Sequence, residues 1–338
     1  MRKFEEFIAL ALLGLVVAPG CGASAPDDVP EMETQFLSFG TAPPGGAFFV
    51  VGGALSEALN ERGSEEAWDV NSEATSGSQE NIRRLTSGEI DLALSNAAVT
   101  YFAVRGSEGW DRSYPVRSIM TLAPNVALFI TTEQSGIRKL TDLAGHRVTV
   151  GPAGAGFDYF VKPLLDVHAV TYESFTPLNA TQADAVDMLA NGSAAAVFLG
   201  GAVPTASITQ ASVSQDVYFI PFSDAGRKMA IERYSFFRPA TIPANTYRGQ
   251  DEDFEGLDVG SMHLITAADQ DEDLVYRITK TIYENRDSVT AKHPAGRAIN
   301  PKNVVRDTGT EFHPGAIRYY QEMGIWLNTS KEVDSSTQ

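Results

Sequence analysis

The chain has 338 residues, enough at about 100–200 residues per domain for two domains with a sizeable core. Hydrophobic residues make up 43% and charged residues 20%, the balance of a soluble globular protein and not of a long disordered chain. The net charge of −17, from 43 acids against 26 bases, argues against nucleic-acid partners, and the single cysteine, Cys21, excludes an intrachain disulfide framework and a thiolate-rich zinc site.

At the N-terminus, Arg2-Lys3 precede an apolar stretch from Phe7 to Val17 and then Ala18-Pro19-Gly20-Cys21. A basic start, a short apolar run and a small residue before the break describe a secretory signal peptide over 1–20. The run is too short for a spanning helix, which needs about 20 apolar residues. Its end resembles a bacterial lipobox, which implies lipidation of Cys21; Ala18 stands where leucine is commoner, and Pro19 is unusual there. Residues 21–34, rich in Ala, Pro, Ser and Asp, read as a flexible tether. No later stretch approaches 18 apolar residues. The expected location is the periplasm or cell envelope, with a lipid anchor and no membrane span.

Beyond the tether, short apolar runs alternate with helical patterns. Phe36 to Phe39 predicts a strand, and Phe48, Val51, Leu55 and Leu59 then recur at helical spacing up to Arg62-Gly63. Trp68 to Glu73 predicts a second strand, and Ser78 is placed to cap a helix that carries Ile82 and Leu85 and stops at Gly88. Strands are expected at 90–94, 119–122, 126–131, 147–150, 195–199 and 260–266. Helical patterns cover 97–104, 157–168, 183–191 and 271–285, with one helical turn at 140–145. This alternation indicates βαβ units, mainly parallel sheets and an α/β fold in two lobes.

Four of these strands end in glycine or a small polar residue. They give Gly40-Thr41 with Gly45-Gly46 before the helix at Ala47, then Ser95-Asn96, the run from Gly151 to Gly156, and Gly200-Gly201. In open α/β sheets ligands bind outside the carboxyl ends of the strands, where N–H groups at helix starts are exposed and suit a carboxylate or phosphate. Four such turns in one chain point to a shared cleft. The Gly154-x-Gly156 loop is not a dinucleotide fingerprint, because Phe157, Asp158 and Tyr159 follow, and no P-loop lysine follows any glycine run.

Signs of catalysis are scarce. The five histidines are scattered, and no HExxH, G-x-S-x-G or S-x-x-K pattern occurs. His168 reads as a satisfied, semi-buried residue, and Asp251-Glu252-Asp253 as a solvated turn without the spacing of a calcium loop. Tyr101-Phe102 and Tyr319-Tyr320 read as packing aromatics, with Tyr101 near enough to the Asn96 turn to line a cleft. No enzyme activity, cofactor or metal is expected.

The segment FGTAPPGGAFFVVGGALSEALN, from Phe39 to Asn60, resembles the opening of the TAXI-family solute receptors of TRAP transporters. The likeness continues through Ser76 to Asn96, Ser135 to Gly156, Pro239 to Asp253 and Phe312 to Ile325, in collinear order. It implies a type II periplasmic-binding-protein fold: lobe I at 35–128 and 257–330, lobe II at 129–256, and a polar tail at 331–338. Crossovers would run near 127–132 and 254–260, with a ligand cleft between the lobes. It further implies a monomer that captures a small carboxylate, such as an amino acid or 2-oxo acid, and delivers it to TRAP-type permease subunits. An alternative on the same fold is a module that reports its ligand to a signalling partner.

Carried over by position, Gly40, Thr41, Ala47 and Phe48 would line the lobe I wall, with Ser78, Gln79 and Asn96 nearby. Ala155, Gly156, Phe157, Asp158, Gly200 and Gly201 would supply lobe II. Three or four charge-assisted hydrogen bonds of ~1.5–3 kcal/mol each would suffice for micromolar binding, about 8 kcal/mol, after ordering costs. Two departures stand out. Family members usually have Gly-Ser-Gly-Thr at Gly154-Ala155-Gly156-Phe157, and glycine or threonine at Pro43-Pro44. Fewer hydroxyls and an added phenyl ring favour a less polar guest.

Overall fold

The computed structural model describes residues 34–44, 46–62 and 67–326. The signal segment, Cys21, nearly all of the tether, Gly45 and the tail 331–338 lie outside the described residues.

The chain opens with β1 (Gln35–Gly40), α1 (Ala47–Arg62), β2 (Trp68–Glu73), α2 (Ser78–Thr86), β3 (Leu92–Asn96), α3 (Ala97–Arg105) and β4 (Val116–Thr121). It then enters β5 (Val126–Thr132), β6 (Arg147–Thr149), α4 (Asp158–Asp166), β7 (Thr176–Leu178), α5 (Gln182–Ala190) and β8 (Ala196–Gly201). Next come α6 (Ala206–Ser214), β9 (Val217–Ile220), α7 (Asp224–Arg233), β10 (Phe237–Ile242) and β11 (Phe254–Val259). The last elements are β12 (Met262–Ala267), α8 (Glu272–Glu284), α9 (Arg286–Lys292) and α10 (Pro314–Glu322).

These strands form two sheets. One has the order β2-β1-β3-β12-β4; the other has β10-β11-β5-β8-β6-β7, with β9 also pairing β5. We call the first sheet with its helices lobe I and the second lobe II. The chain crosses from lobe I to lobe II between β4 and β5 and returns between β11 and β12. The two crossings touch, since Val126 pairs Asp258 and Ala127 pairs Leu257 in antiparallel register. Two α/β lobes joined by paired crossover strands, with β12 returning into the first sheet, are the type II periplasmic-binding-protein architecture.

The expected parallel sheets need correction. The pairs β1·β2, β1·β3, β6·β7 and β6·β8 are parallel. The pairs β10·β11, β11·β5, β12·β3, β12·β4, β5·β8 and β5·β9 are antiparallel. The crossover strands and their neighbours enter each sheet from the opposite end, so the βαβ rhythm describes only part of each lobe.

Helix α1 forms because Val51, Ala54, Leu55, Ala58 and Leu59 recur on one face, and all five are buried against the lobe I sheet, α8 and α9. Asn60 then fixes β2 beside it, donating from Nδ2 to the Val70 carbonyl at 2.9 Å and accepting the Val70 N–H at 2.7 Å. In lobe II, β5 is a continuous apolar run buried along nearly its whole length, as expected for a strand covered on both faces. Phe129 faces Phe198 across the β5·β8 pair with ring centroids 4.9 Å apart.

The buried apolar side chains form two clusters. One fills lobe I between its sheet and α1, α8 and α10. The other fills lobe II and continues into α2 and α3 of lobe I through an aromatic seam. In that seam Phe102 lies 5.9 Å from both Tyr159 and Tyr234, and Tyr101 lies 5.2 Å from Phe236. The lobes therefore share packed core on the α3 side. His168, just past α4, is half-buried and held between the Leu164 carbonyl and the Ser223 N–H.

Candidate functional site

The junction of the two crossovers is organised by one carboxylate. Asp258, in β11 and 2% exposed, accepts the Asn125 N–H at 3.0 Å from the first crossover. From the second crossover it accepts the Gly260 N–H at 3.2 Å and the Ser261 hydroxyl. Arg306 lies 3.5 Å away and donates to Ser261 and Asn303. Burial pushes the Asp258 carboxyl above its usual range, and Arg306 and these donors pull it back. Gly260 has φ +116 and sits against Asn96 Oδ1, so a side chain there would collide with that amide. Arg238 of β10 donates to the Asp307 carbonyl at 2.9 Å, tying the lobe II sheet to the loop that precedes α10.

A cavity of about 390 Å³ is lined from both lobes, within the range of small-molecule sites. Lobe I contributes Gln79, Phe102, Glu108 and Gly109. Lobe II contributes the 152–154 loop, Gly156, Phe157, Asp158, Tyr159, Lys162, Pro163 and Asn179. Gln79 Nε2 donates to Tyr159 Oη at 3.0 Å, a hydrogen bond between the lobes. Gly156 lies against Val99 and Gln79, and the Ala155 carbonyl lies against Gly77 at the start of α2. The glycine loop of lobe II therefore rests directly on the N-terminal turn of a lobe I helix. The N–H groups of Gly156, Phe157 and Asp158 at the start of α4 find no acceptor among the described residues.

The charges around the cavity are mixed. Asp158 pairs with Lys162 at 2.9 Å and accepts from Tyr172 at 3.0 Å. Glu108 makes no ion pair among the described residues, and its charge, with that of Asp158, adds to the upward pull on the Tyr159 hydroxyl. Burial is the main cause of that rise, which the Gln79 hydrogen bond opposes. Among the described residues no group of three or more His, Cys, Asp or Glu is placed to hold a metal ion, and no helix is long and apolar enough to cross a membrane.

Of the expected site residues, the cavity gathers Gln79, Gly156, Phe157 and Asp158. Ala155 lies at the contact between the lobes. Gly40 and Thr41 are held by other groups: Asn81 Nδ2 donates to both carbonyls, and the Thr41 hydroxyl donates to the Glu73 carbonyl at 2.7 Å. Ala47 and Phe48 pack on the lobe I core. Asn96 commits both ends of its amide to backbone, accepting the Ala98 N–H at 2.8 Å and donating to the Gly260 carbonyl at 2.7 Å. Gly200 exchanges two hydrogen bonds with Gln182, and Gly201 pairs Val126 inside β8. Ser78 does not cap α2: Gly77 is the cap, and the Ser78 hydroxyl accepts the Asn96 N–H at 3.0 Å. The glycine there takes φ +113, so the turn before the helix needs glycine and leaves the serine free to brace the next strand.

The sequence reading missed Phe102, Glu108, Tyr159, Lys162 and Asn179. One signal was available for part of this set: Asp158, Tyr159, Lys162 and Pro163 share one face of α4 at helical spacing.

Residues 39–324 match the model of the NMT1-like family. A solved protein of Bordetella bronchiseptica RB50 is similar at 12% identity with a TM-score of 0.52, over 87% of this chain and 90% of that one. A protein of Xanthomonas citri bound to chloride ion is similar at 10% identity and a TM-score of 0.50, over 86% and 97%. The periplasmic aliphatic sulphonate binding protein SsuA of Escherichia coli has 13% identity and a TM-score of 0.46, over 86% and 79%. At these identities the likeness concerns the fold.

Proposed function

The chain belongs to the NMT1-like family, and from that premise we propose that it is an extracytoplasmic solute-binding protein that holds a small molecule between its lobes and delivers it to a membrane transporter. The observation that carries this reading is the cavity of about 390 Å³ whose walls come from both of the lobes that the paired crossovers join. A guest there touches both halves at once, so binding energy favours the closed arrangement over any in which the lobes part.

The finer reading is a small carboxylate as guest and a TRAP-type, ion-gradient-driven permease as partner. It is supported by the collinear TAXI-like motifs and by the free N–H groups at the start of α4, whose partial positive charge suits an anion. Phe102, Phe157 and Tyr159 make the walls more apolar than a hydroxyl-rich pocket and favour a guest with an apolar body. Anchoring through Cys21 in the periplasm or cell envelope completes the reading. No catalytic role is part of it.

Thermal unfolding of the purified protein against a panel of small carboxylates tests the reading. A true guest raises Tm with concentration, by about 2.7 kcal/mol of stability at a hundred times Kd. A flat response across amino acids, 2-oxo acids and dicarboxylates contradicts the carboxylate assignment.

A further inference from the structure

The apolar wall of the cavity is built from rings. Phe102 reaches it from lobe I, and Phe157, Tyr159, Pro152 and Pro163 reach it from lobe II. Among the described residues, no valine, leucine, isoleucine or methionine lines it. Tyr159 is clamped by its neighbours, stacked on Trp110 at 5.8 Å and 5.9 Å from Phe102. Phe102 and Tyr159 are buried, and Phe157 is the half-buried member of the three aromatics. Its position is fixed from behind. A Cβ added at Gly151 would stand 2.2 Å from Phe157 Cδ1 and 2.3 Å from Cγ, so the ring occupies the place that a side chain at 151 would need. Gly151 has φ +98, a backbone that glycine takes without strain. Phe160 lies 5.1 Å from the ring at 48°, and Phe198 lies 6.3 Å from it at 85°. Phe157 thus packs on lobe II through these contacts and keeps the rest of its surface for the cavity.

We propose that Phe157 is a specificity-determining residue, which selects a guest with a flat aromatic ring over one whose apolar body is branched or puckered. The inference rests on the solute-binding reading and deepens it by naming the ligand class, an aromatic carboxylate. A planar guest offers Phe157 an offset-stacked or edge-on contact, which adds to the gain from apolar burial alone. A saturated ring of the same carbon count buries at least as much apolar surface, but it has no π-system and its hydrogens stand off the mean plane. The choice between the two falls on Phe157, because Tyr159 is already stacked on Trp110 and Phe102 is buried against Tyr159 and Tyr234.

Calorimetric titration of wild-type protein and Phe157→Leu with benzoate, phenylacetate and 3-phenylpropanoate, each against its cyclohexyl counterpart, tests this. The saturated member of each pair is the more apolar, so burial alone favours it. Wild type is expected to bind the phenyl member of its best-bound pair about threefold to tenfold more tightly, the size of one aromatic contact. Phe157→Leu is expected to bring that pair within about twofold or to reverse it, and Phe157→Tyr, which keeps the ring, to retain the preference. Equal or tighter binding of the cyclohexyl members by wild type overturns the inference and leaves the solute-binding reading standing. A phenyl preference that survives Phe157→Leu, or one lost in Phe157→Tyr, removes Phe157 as the selector. No binding by any of the six overturns the inference as well, and the solute-binding reading then stands or falls by the thermal-unfolding panel of other carboxylates.

Discussion

Gln79 Nε2 donates to Tyr159 Oη across 3.0 Å, tying the first turn of α2 in one lobe to the first turn of α4 in the other. The bond crosses beside the candidate site, so parting of the lobes must break it. Tyr159→Phe keeps the ring stacked on Trp110 and removes only the hydroxyl. We expect a loss of about 1 kcal/mol of stability, typical of one neutral hydrogen bond. Small-angle scattering of the ligand-free variant should give a larger radius of gyration than wild type. An unchanged radius with unchanged stability would show that this bond does not restrain the lobes.

Gly156 allows a close approach between the lobes. An added Cβ would stand 2.8 Å from Val99 Cγ2 and 3.6 Å from Gln79 Cγ, on a backbone at φ +92. Gly156→Ala should wedge the lobes apart and weaken guest binding by tenfold or more, while the far-ultraviolet circular dichroism stays that of wild type. Undiminished affinity by calorimetry would mean that the loop contact is not needed to close the site.

Asp258 gathers donors from both crossovers in a buried setting. Asp258→Ala leaves the Asn125 and Gly260 N–H groups without their acceptor and deprives Arg306 of its counter-charge, which should cost about 3–5 kcal/mol in urea unfolding. Asp258→Asn retains one acceptor oxygen and should lose less. Equal losses for the two variants would contradict the charge argument.

His263 is fully buried and its pKa is pushed down to about 3 by burial, with a smaller contribution from Arg306. It therefore stays neutral. Thr100 Oγ1 lies 2.8 Å from both its Nε2 and Ser95 Oγ, which assigns the Nε2–H tautomer: His263 donates to Thr100, Thr100 to Ser95, and Ser95 to the Asn96 carbonyl. Nδ1 is left as a lone pair without a partner among the described residues. Because the folded pKa lies below the unfolded one, this stability is present above pH 6.5 and is lost as pH falls toward 3, by about 1.4 kcal/mol per pH unit. His168, His293 and His313 are lowered by burial and act in the same direction. Asp258, raised by burial, acts oppositely, since its contribution is lost as pH rises through its folded pKa. His263→Gln should flatten the acid limb of a stability-against-pH curve by about that slope, and an unchanged limb would exclude His263 as its source.

Much of the lobe architecture was legible because it is local. The strands expected at 36–39, 68–73 and 126–131 fall on β1, β2 and β5, and the helical spacing from Phe48 to Leu59 falls on α1. Pairing direction was not legible, since β5, β11 and β12 are set by where the chain re-enters each sheet and not by their composition. The site was legible in half. Glycines at 154 and 156 mark the lobe II loop because backbone must approach closely there. Glu108 and Phe102 carry no such mark: they reach the cavity only because β4 and β5 cross and bring lobe I onto residues some 50 positions away. Asn96 shows the converse. Its place at a strand end suggests a ligand amide, but the same position caps α3 and holds Gly260, and its hydrogen bonds are spent on those tasks.

A crystal structure grown with whichever carboxylate raises Tm the most gives the most direct test. Electron density for that molecule is expected in the cavity between Gln79 and Phe102 of one lobe and Phe157 and Asp158 of the other. Density confined to the outer surface of a single lobe, with the cavity holding only water, would contradict it.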